Sequence, residues 1–205
     1  MADLPAVGAH EVRELTRADI PTMRAVLGRA FADDPIMEHV FAGRSDVERR
    51  TGLLYALFCR AHLHHGRCLT TRDAEGAALW TAPGRWRVGR GQQLRMLPGL
   101  FRSIGARLPL LMGDFEMMER FHGSMPADHW YLAVLGTDPP RQGHGIGSAL
   151  MTPVLEQCDA EGVGAYLESS KESNLAFYGR FGFEVVEELR FKGGPPIWPM
   201  WRDPR

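Results

Sequence analysis

Apolar residues recur along the chain with two different periods, which separate predicted helices from predicted strands. Spacings of three and four residues predict one helix after Thr16, which opens a Thr-x-x-Asp capping box, and another over 47–62. Alternating or continuous apolar runs predict strands over 12–15, 68–72 and 77–82, the last two joined by an acidic turn that ends in glycine. The N-terminal part therefore combines helices with an antiparallel hairpin.

The second half begins with an apolar strand over 130–135, followed by a glycine-rich loop and a helix. Further strands are predicted over 165–168, 183–191 and 195–201. A short helix over 174–181 lies between them and stops at a glycine. Because hairpin-like strands precede a strand–loop–helix unit, we expect a mixed and mostly antiparallel α/β sheet with helices on both faces.

Segment 84–125 differs from both halves. It has an apolar stripe at helical spacing, made by Leu94, Leu97, Phe101, Ile104 and Leu108. It is also rich in arginine, with Arg85, Arg87, Arg90, Arg95, Arg102 and Arg107. We interpret it as a helical insertion within a single domain spanning 1–205. Its basic face is either solvated or part of a lid over a pocket.

Composition narrows the class of protein. The 205 residues are 44% hydrophobic and 24% charged with a net charge of −1, which favours a globular domain over a nucleic-acid binder. No apolar run has the length of a membrane span, and acidic Asp3, Glu11 and Glu14 argue against a signal peptide. Three widely spaced cysteines indicate neither a disulfide framework nor a metal site, so we expect a cytoplasmic protein.

The glycine-rich loop is the strongest chemical feature. Main-chain N–H groups at the start of a helix lack internal partners and attract anions, and glycines let a phosphate approach them. The residues Gly147-Ser148-Ala149 lack the lysine of a P-loop, so binding of a nucleoside triphosphate is not indicated. Ser148 also stands where a dinucleotide-binding loop has its third glycine. A dinucleotide oxidoreductase is therefore a rival hypothesis that the antiparallel hairpin disfavours.

Two ordered motifs resemble those of the GNAT family of N-acetyltransferases. Gln142-Gly143-His144-Gly145-Ile146-Gly147 matches the family's Q/R-x-x-G-x-G/A loop, and the run from Asn174 to Phe183 matches its N-x-x-A/P-x-x-F/Y-Y-x-x-x-G-F motif. Segments 130–139 and 166–170 are similar to the puromycin N-acetyltransferase subgroup. The resemblance implies a GNAT-like sheet with a V-shaped splay between strands 130–137 and 165–170.

The resemblance also implies acetyl-CoA as acetyl donor. The residues expected to bind it are Leu135, Gly136, Thr137, Gln142, Gly143, His144, Gly145, Ile146, Gly147, Ser148 and Asn174. Pyrophosphate is expected on the loop amides, and the pantetheine arm beside Leu135 and Thr137, where Gly136 fits a β-bulge. No metal is required, and the histidines at 62, 64 and 65 are not expected to bind one.

The implied reaction is direct attack of a primary amine on the thioester. Main-chain N–H groups of strand 132–137 would stabilise negative charge on the oxygen, and Tyr178 would protonate the departing thiolate. Glu168 is the candidate base, or else a solvated or paired strand-end carboxylate. A chain of water molecules is the alternative to a dedicated base. His129 is interpreted as a surface imidazole, with a proton relay as the alternative.

Asp33 and Asp34 either bind a cationic substrate or form the turn before Pro35, which we expect to end the first helix. We expect a small-molecule amine as acceptor, and antibiotic resistance is a possible role. We expect no nucleic-acid or membrane partner. A homodimer is also possible. The alternatives are acetylation of a protein lysine or N-terminus, and a non-catalytic acyl-CoA-binding module.

Overall fold

A computed structural model describes residues 10–87 and 89–205, and only the main chain of Arg90 and Gln92. Asp3 and the Arg90 side chain thus lie outside the described residues. The described chain forms one mixed sheet with strand order β1-β2-β3-β4-β5-β8-β6, and β7 also pairs with β8. The strands are β1 Val12–Glu14, β2 Gly66–Thr71, β3 Gly76–Thr81, β4 His129–Thr137, β5 Gly164–Ser169, β6 Glu184–Val185, β7 Leu189–Arg190 and β8 Pro196–Arg202.

Helices cover both faces of this sheet, as the sequence predicts. They are α1 Ile20–Ala30, α2 Pro35–Val40, α3 Val47–His62, α4 Arg90–Ser103, α5 Leu108–His122, α6 Ile146–Glu161 and α7 Leu175–Gly179. One apolar core lies between the sheet and α1, α3 and α5, and a second lies between the sheet and α6. Within the residues that the structure describes, no helix combines the length and apolar composition that a membrane span requires.

The two central strands separate as they run toward the glycine-rich loop. β4 and β5 are parallel and pair from His129 and Gly164 as far as Leu132 and Leu167, while every other strand pair among the described residues is antiparallel. β4 continues to Thr137 without β5 beside it. The predicted mixed sheet and its V-shaped splay are therefore confirmed.

The predicted strand over 183–191 is wrong. The chain forms two short strands there, β6 and β7, which pair with opposite ends of β8. Pro199 lies in β8 between the two pairings and has no N–H, so it can accept a hydrogen bond from Val186 N but cannot donate one back. The ladder is interrupted at that point.

The expected bulge at Gly136 is also wrong. Leu79 pairs with Val134 and Trp80 with Leu132, so Ala133 is the extra residue in β4. Gly136 is paired regularly and is needed for another reason. A Cβ atom there would lie 2.7 Å from side-chain atoms of Leu27 and of Phe31, because α1 packs directly on this part of β4.

Segment 84–125 contains the predicted helices, but its apolar stripe is divided. Ile104 and Leu108 are buried, whereas Leu94, Leu97 and Phe101 are exposed on α4. The stripe therefore belongs to the core only where α4 turns into α5.

Candidate active site

The glycine-rich loop turns the chain from β4 into α6 with free amides at the turn. Gly143 and Gly145 have φ angles of +78° and +85°, the left-handed region that favours glycine. Ala149 N is the first amide of α6 to reach back, 3.0 Å from Gly145 O. The preceding N–H groups of the first turn have no partner of that kind, so the loop presents donors and the positive end of the helix dipole.

These amides border an open cleft of about 520 Å³. Predicted coenzyme-binding residues line it, namely Leu135, Gly136, Thr137, Gln142, Gly143, Gly145, Ile146, Gly147, Ser148 and Asn174. His144 does not line the cleft, because its exposed ring turns back so that Nδ1 lies 2.9 Å from Gln142 O. Three cations that the sequence reasoning missed also border it: Arg141, Lys171 and Arg180.

The cleft fits a phosphorylated ligand with an extended amide-containing arm. Amides and cations at the loop end suit phosphates. The β5 side of β4 lacks a strand partner beyond Leu132 in the described chain, so main-chain groups there can pair with an arm. These features are the ones that coenzyme A requires.

Tyr178 lies where the cleft meets a more enclosed inner chamber of about 260 Å³. Its side chain is buried against Phe177 and Phe183, and it lines both spaces. Burial, followed by the negative charge of Asp34, raises its pKa well above the ordinary tyrosine value. The phenol therefore stays protonated and can donate a proton toward either space.

Glu168 lies at the far side of the inner chamber, near the end of β5. Its side chain is only 6% exposed, and burial raises the pKa of the carboxyl from 4.5 to about 7. The hydroxyls of Tyr131 and Tyr166 favour the ionised form and limit this rise. The structure thus places a buried carboxyl with a raised pKa where the sequence left open a solvated or paired one.

Two buried histidines extend from Glu168. His129 Nδ1 lies 2.6 Å from the Pro126 carbonyl and must donate to it, so Nε2 of the neutral ring accepts. His122 Nε2 lies 2.8 Å from His129 Nε2 and donates a hydrogen bond to it. His122 Nδ1 therefore carries no hydrogen and can only accept, and it lies 4.0 Å from Glu168 Oε1. Burial, together with His129 and Arg87, lowers the pKa of His122 to about 3.

The interpretation of His129 as a surface imidazole is therefore wrong, since it is 1% exposed. His122 was missed altogether. It ends α5, far from both motifs in sequence, and no pattern in the sequence indicates that it stacks on Trp86 with ring centroids 4.0 Å apart.

Asp33 and Asp34 have partners within the protein. Asp34 caps α2, with Oδ1 2.9 Å from Ile36 N, and its other oxygen accepts a short hydrogen bond from Ser170. Asp33 forms an ion pair with Lys171 at 2.7 Å. The turn-forming interpretation is the one that the structure favours, and together the pairs tie the α1–α2 turn to the end of β5.

The three neighbouring histidines have separate environments. Half-buried His62 has its Nδ1 2.8 Å from Phe58 O, and His64 Nε2 lies 3.2 Å from an Arg17 nitrogen. Among the described residues, no group of three or more His, Cys, Asp or Glu side chains is arranged to hold a metal ion.

Comparisons with known proteins agree with this geometry. Residues 113–183 match the model of the acetyltransferase (GNAT) family. An uncharacterised N-acetyltransferase of Schizosaccharomyces pombe is 30% identical over 91% of this chain and 80% of its own length. A Corynebacterium glutamicum structure, titled as histone acetyltransferase HPA2 and related acetyltransferase, is 25% identical with a TM-score of 0.70 over 96% of this chain and 97% of its own.

An arylalkylamine N-acetyltransferase of Aedes aegypti shares the fold, with 14% identity and a TM-score of 0.67 over 97% of this chain and 100% of its own. The fold, the glycine-rich loop and the Schizosaccharomyces pombe relative agree with one another. The chain belongs to the GNAT family and is an N-acetyltransferase that uses acetyl-CoA as its acetyl donor.

Proposed function

We propose that the chain acetylates the primary amine of a small molecule, with Glu168 as general base. The observation that supports this most directly is a buried carboxyl with a pKa of about 7 in a chamber that opens, beside Tyr178, into the coenzyme cleft. A base whose pKa is near the working pH is the most effective one. An incoming ammonium group can give its proton to Glu168 without leaving the enclosed space.

Acetyl-CoA supplies an acetyl group already activated as a thioester. On this proposal the loop amides from Gln142 to Ser148 hold the pyrophosphate, with Arg141 and Arg180 nearby. His144 contributes its main chain alone. Leu135, Gly136 and Thr137 border the arm at the open edge of β4, and Asn174 hydrogen-bonds to it.

The carbonyl oxygen and the sulfur both gain negative charge during the transfer, and a separate group of the protein stabilises each charge. Main-chain N–H groups of β4 face the oxygen on which negative charge grows, and Tyr178 donates the proton that neutralises the sulfur. Its raised pKa keeps the phenol protonated at neutral pH, so that a proton is available beside the sulfur when the thiolate leaves.

His122 is a positioning residue for Glu168. Its bare Nδ1 faces the carboxyl, and a small side-chain movement shortens the 4.0 Å separation to hydrogen-bond distance. His122 Nδ1 then accepts a hydrogen bond from the protonated Glu168 carboxyl, which keeps its proton, while the hydrogen bond to His129 fixes the His122 tautomer. The pair thereby stabilises the form of Glu168 that has just removed a proton from the amine.

A small acceptor suits this enclosure better than a protein does, because Glu168 is buried at the inner end of a narrow chamber. Acetylation of a protein lysine or N-terminus is the alternative. The test is a panel of amines assayed by release of the coenzyme thiol, with puromycin and a lysine peptide included. Puromycin tests the predicted subgroup and with it a role in antibiotic resistance. Turnover of the peptide alone would refute the small-molecule proposal.

A non-catalytic acyl-CoA-binding module predicts binding of acetyl-CoA with no turnover of any amine. The cytoplasmic location and the homodimer stay predictions too. Cell fractionation and sedimentation test them separately.

A further inference from the structure

An outer chamber of about 300 Å³ adjoins the inner chamber on the side away from the coenzyme cleft. The outer chamber lies under α4 and α5, which precede both the glycine-rich loop and the motif from Asn174 to Phe183. Both chambers are lined by Phe58, Phe115, Met118, Tyr131, Ala133 and Glu168. Glu168 thus borders both chambers, which together are called the passage below.

The walls of this passage are mainly apolar. α3 contributes Phe58 and α5 contributes Phe115 and Met118, while Ala133, the bulged residue of β4, leaves room between them. Met96 of α4 covers the outer chamber. Methionine and phenylalanine side chains favour an apolar body and adapt to its shape.

Charge is confined to the two ends. Glu168 is at the inner end, and exposed Arg85, Arg87 and Glu119 stand at the outer end. The Arg87 guanidinium lies over the Trp86 ring, 4.9 Å from its centroid. His62 also lines the outer chamber, and burial lowers its pKa, so it does not add a positive charge at neutral pH. Two guanidinium groups therefore face a single carboxylate there.

From this placement we infer that the outer chamber binds the non-reacting end of the acceptor, and that the acceptor is a primary amine with one positive charge, an apolar body and a neutral or anionic far end. This inference rests on the proposed function. Its amine lies at Glu168, its body between Phe58 and Met118, and its far end beside Arg85. Polyamines and polycationic sugars are disfavoured, because their second ammonium group would lie beside the guanidinium groups.

The apolar body is tested first with straight-chain primary amines from butylamine to octylamine. Each methylene group removed from water is expected to raise kcat/KM about four-fold until the passage is filled. A flat response from butylamine to octylamine would overturn the inference.

The far end is tested with three amines of one shape: 2-phenylethylamine and its para-carboxylate and para-trimethylammonium derivatives. We expect the carboxylate to be preferred to the trimethylammonium compound about ten-fold at low salt, and the preference to shrink at high salt because the arginines are exposed. A preference for the cationic compound would overturn the inference.

The preference should depend on Arg85 and not on positive charge in general. Arg85→Glu is expected to reverse it, whereas Arg102→Glu, on an exposed residue of α4 that lines neither chamber, should leave it unchanged. Equal effects of the two substitutions would contradict the assigned site. Binding of the three amines to protein saturated with coenzyme A, measured by calorimetry, gives the same comparison without turnover.

Different results would refute the proposed function and the role of the outer chamber. Binding of acetyl-CoA with acetylation of no amine would refute the proposed function. Acetylation of amines without dependence on chain length, far-end charge or Arg85 would refute only the outer chamber's role.

Discussion

Replacing Glu168 by glutamine should make the protein inactive and, at alkaline pH, more stable. The two side chains have the same shape, so the substitution removes the titrating group with little change in packing. General-base catalysis contributes about a hundred-fold to ten-thousand-fold, and kcat should fall by a factor in that range. Glu156→Gln, on an exposed position of α6, is the matched control and should behave like the wild type.

The pH dependence follows from the raised pKa. With a pKa of about 7, roughly a tenth of Glu168 is ionised at pH 6 and about nine tenths at pH 8. The ratio of wild-type kcat to that of Glu168→Gln should therefore rise about ten-fold over this interval. Taking the ratio cancels the titration of the amine itself.

The stability of the wild-type fold should fall with rising pH, whereas its activity rises. The folded pKa of about 7 exceeds the ordinary value of 4.5, so the folded state binds the proton more tightly, and wild-type stability falls as pH rises from about 4.5 through 7. The full loss is on the order of 3 kcal/mol, which the glutamine variant does not suffer. Its Tm at pH 8 should exceed that of the wild type by roughly 6–12 °C, with little difference at pH 4.5. A Glu168→Gln variant with wild-type activity would refute the role as base. A Tm difference between variant and wild type that is the same at pH 8 and pH 4.5 would refute the raised pKa.

Three further substitutions test other parts of the account. Tyr178→Phe should lower kcat at least about a hundred-fold while leaving the Kd of acetyl-CoA unchanged in calorimetry, because only the proton donor is removed; unchanged turnover would exclude that role. His122→Phe removes the acceptor that faces Glu168 and should lower the apparent pKa of the kcat profile with a smaller loss of kcat, whereas an unshifted profile would leave His122 a packing residue. Gly136→Ala should cost about 1–3 kcal/mol in urea unfolding because its Cβ would overlap α1, while Gly113→Ala, with open space around it in α5, should gain about 0.5–1 kcal/mol. The opposite order would contradict the packing of α1 on β4.

The glycine-rich loop of the candidate site could be predicted from the sequence because its determinants are local. A glycine-rich loop between an apolar strand and a periodic helix specifies its own geometry, and the structure has α6 directly after that loop. The same holds for the capping box at Thr16, which the structure contains. Helix α2 was missed because Pro35 also suits the first turn of a helix, and Asp34 caps it.

The acceptor side depends on tertiary contacts that leave no pattern in the sequence. Glu168 becomes a buried group with a raised pKa only because β5, β4 and α5 meet around it. His122 and His129 are paired across the end of α5 and the start of β4, and neither lies in a motif. The Ala133 bulge depends on register with β3, which alternation within one strand does not reveal.

The most direct test of acetyl transfer is to follow both products of one reaction mixture containing the protein, acetyl-CoA and octylamine. The account predicts that free coenzyme thiol and N-acetyloctylamine appear in equal amounts, and that neither forms with Glu168→Gln at a comparable rate. Thiol released without the amide, or at the same rate when the amine is omitted, would contradict it.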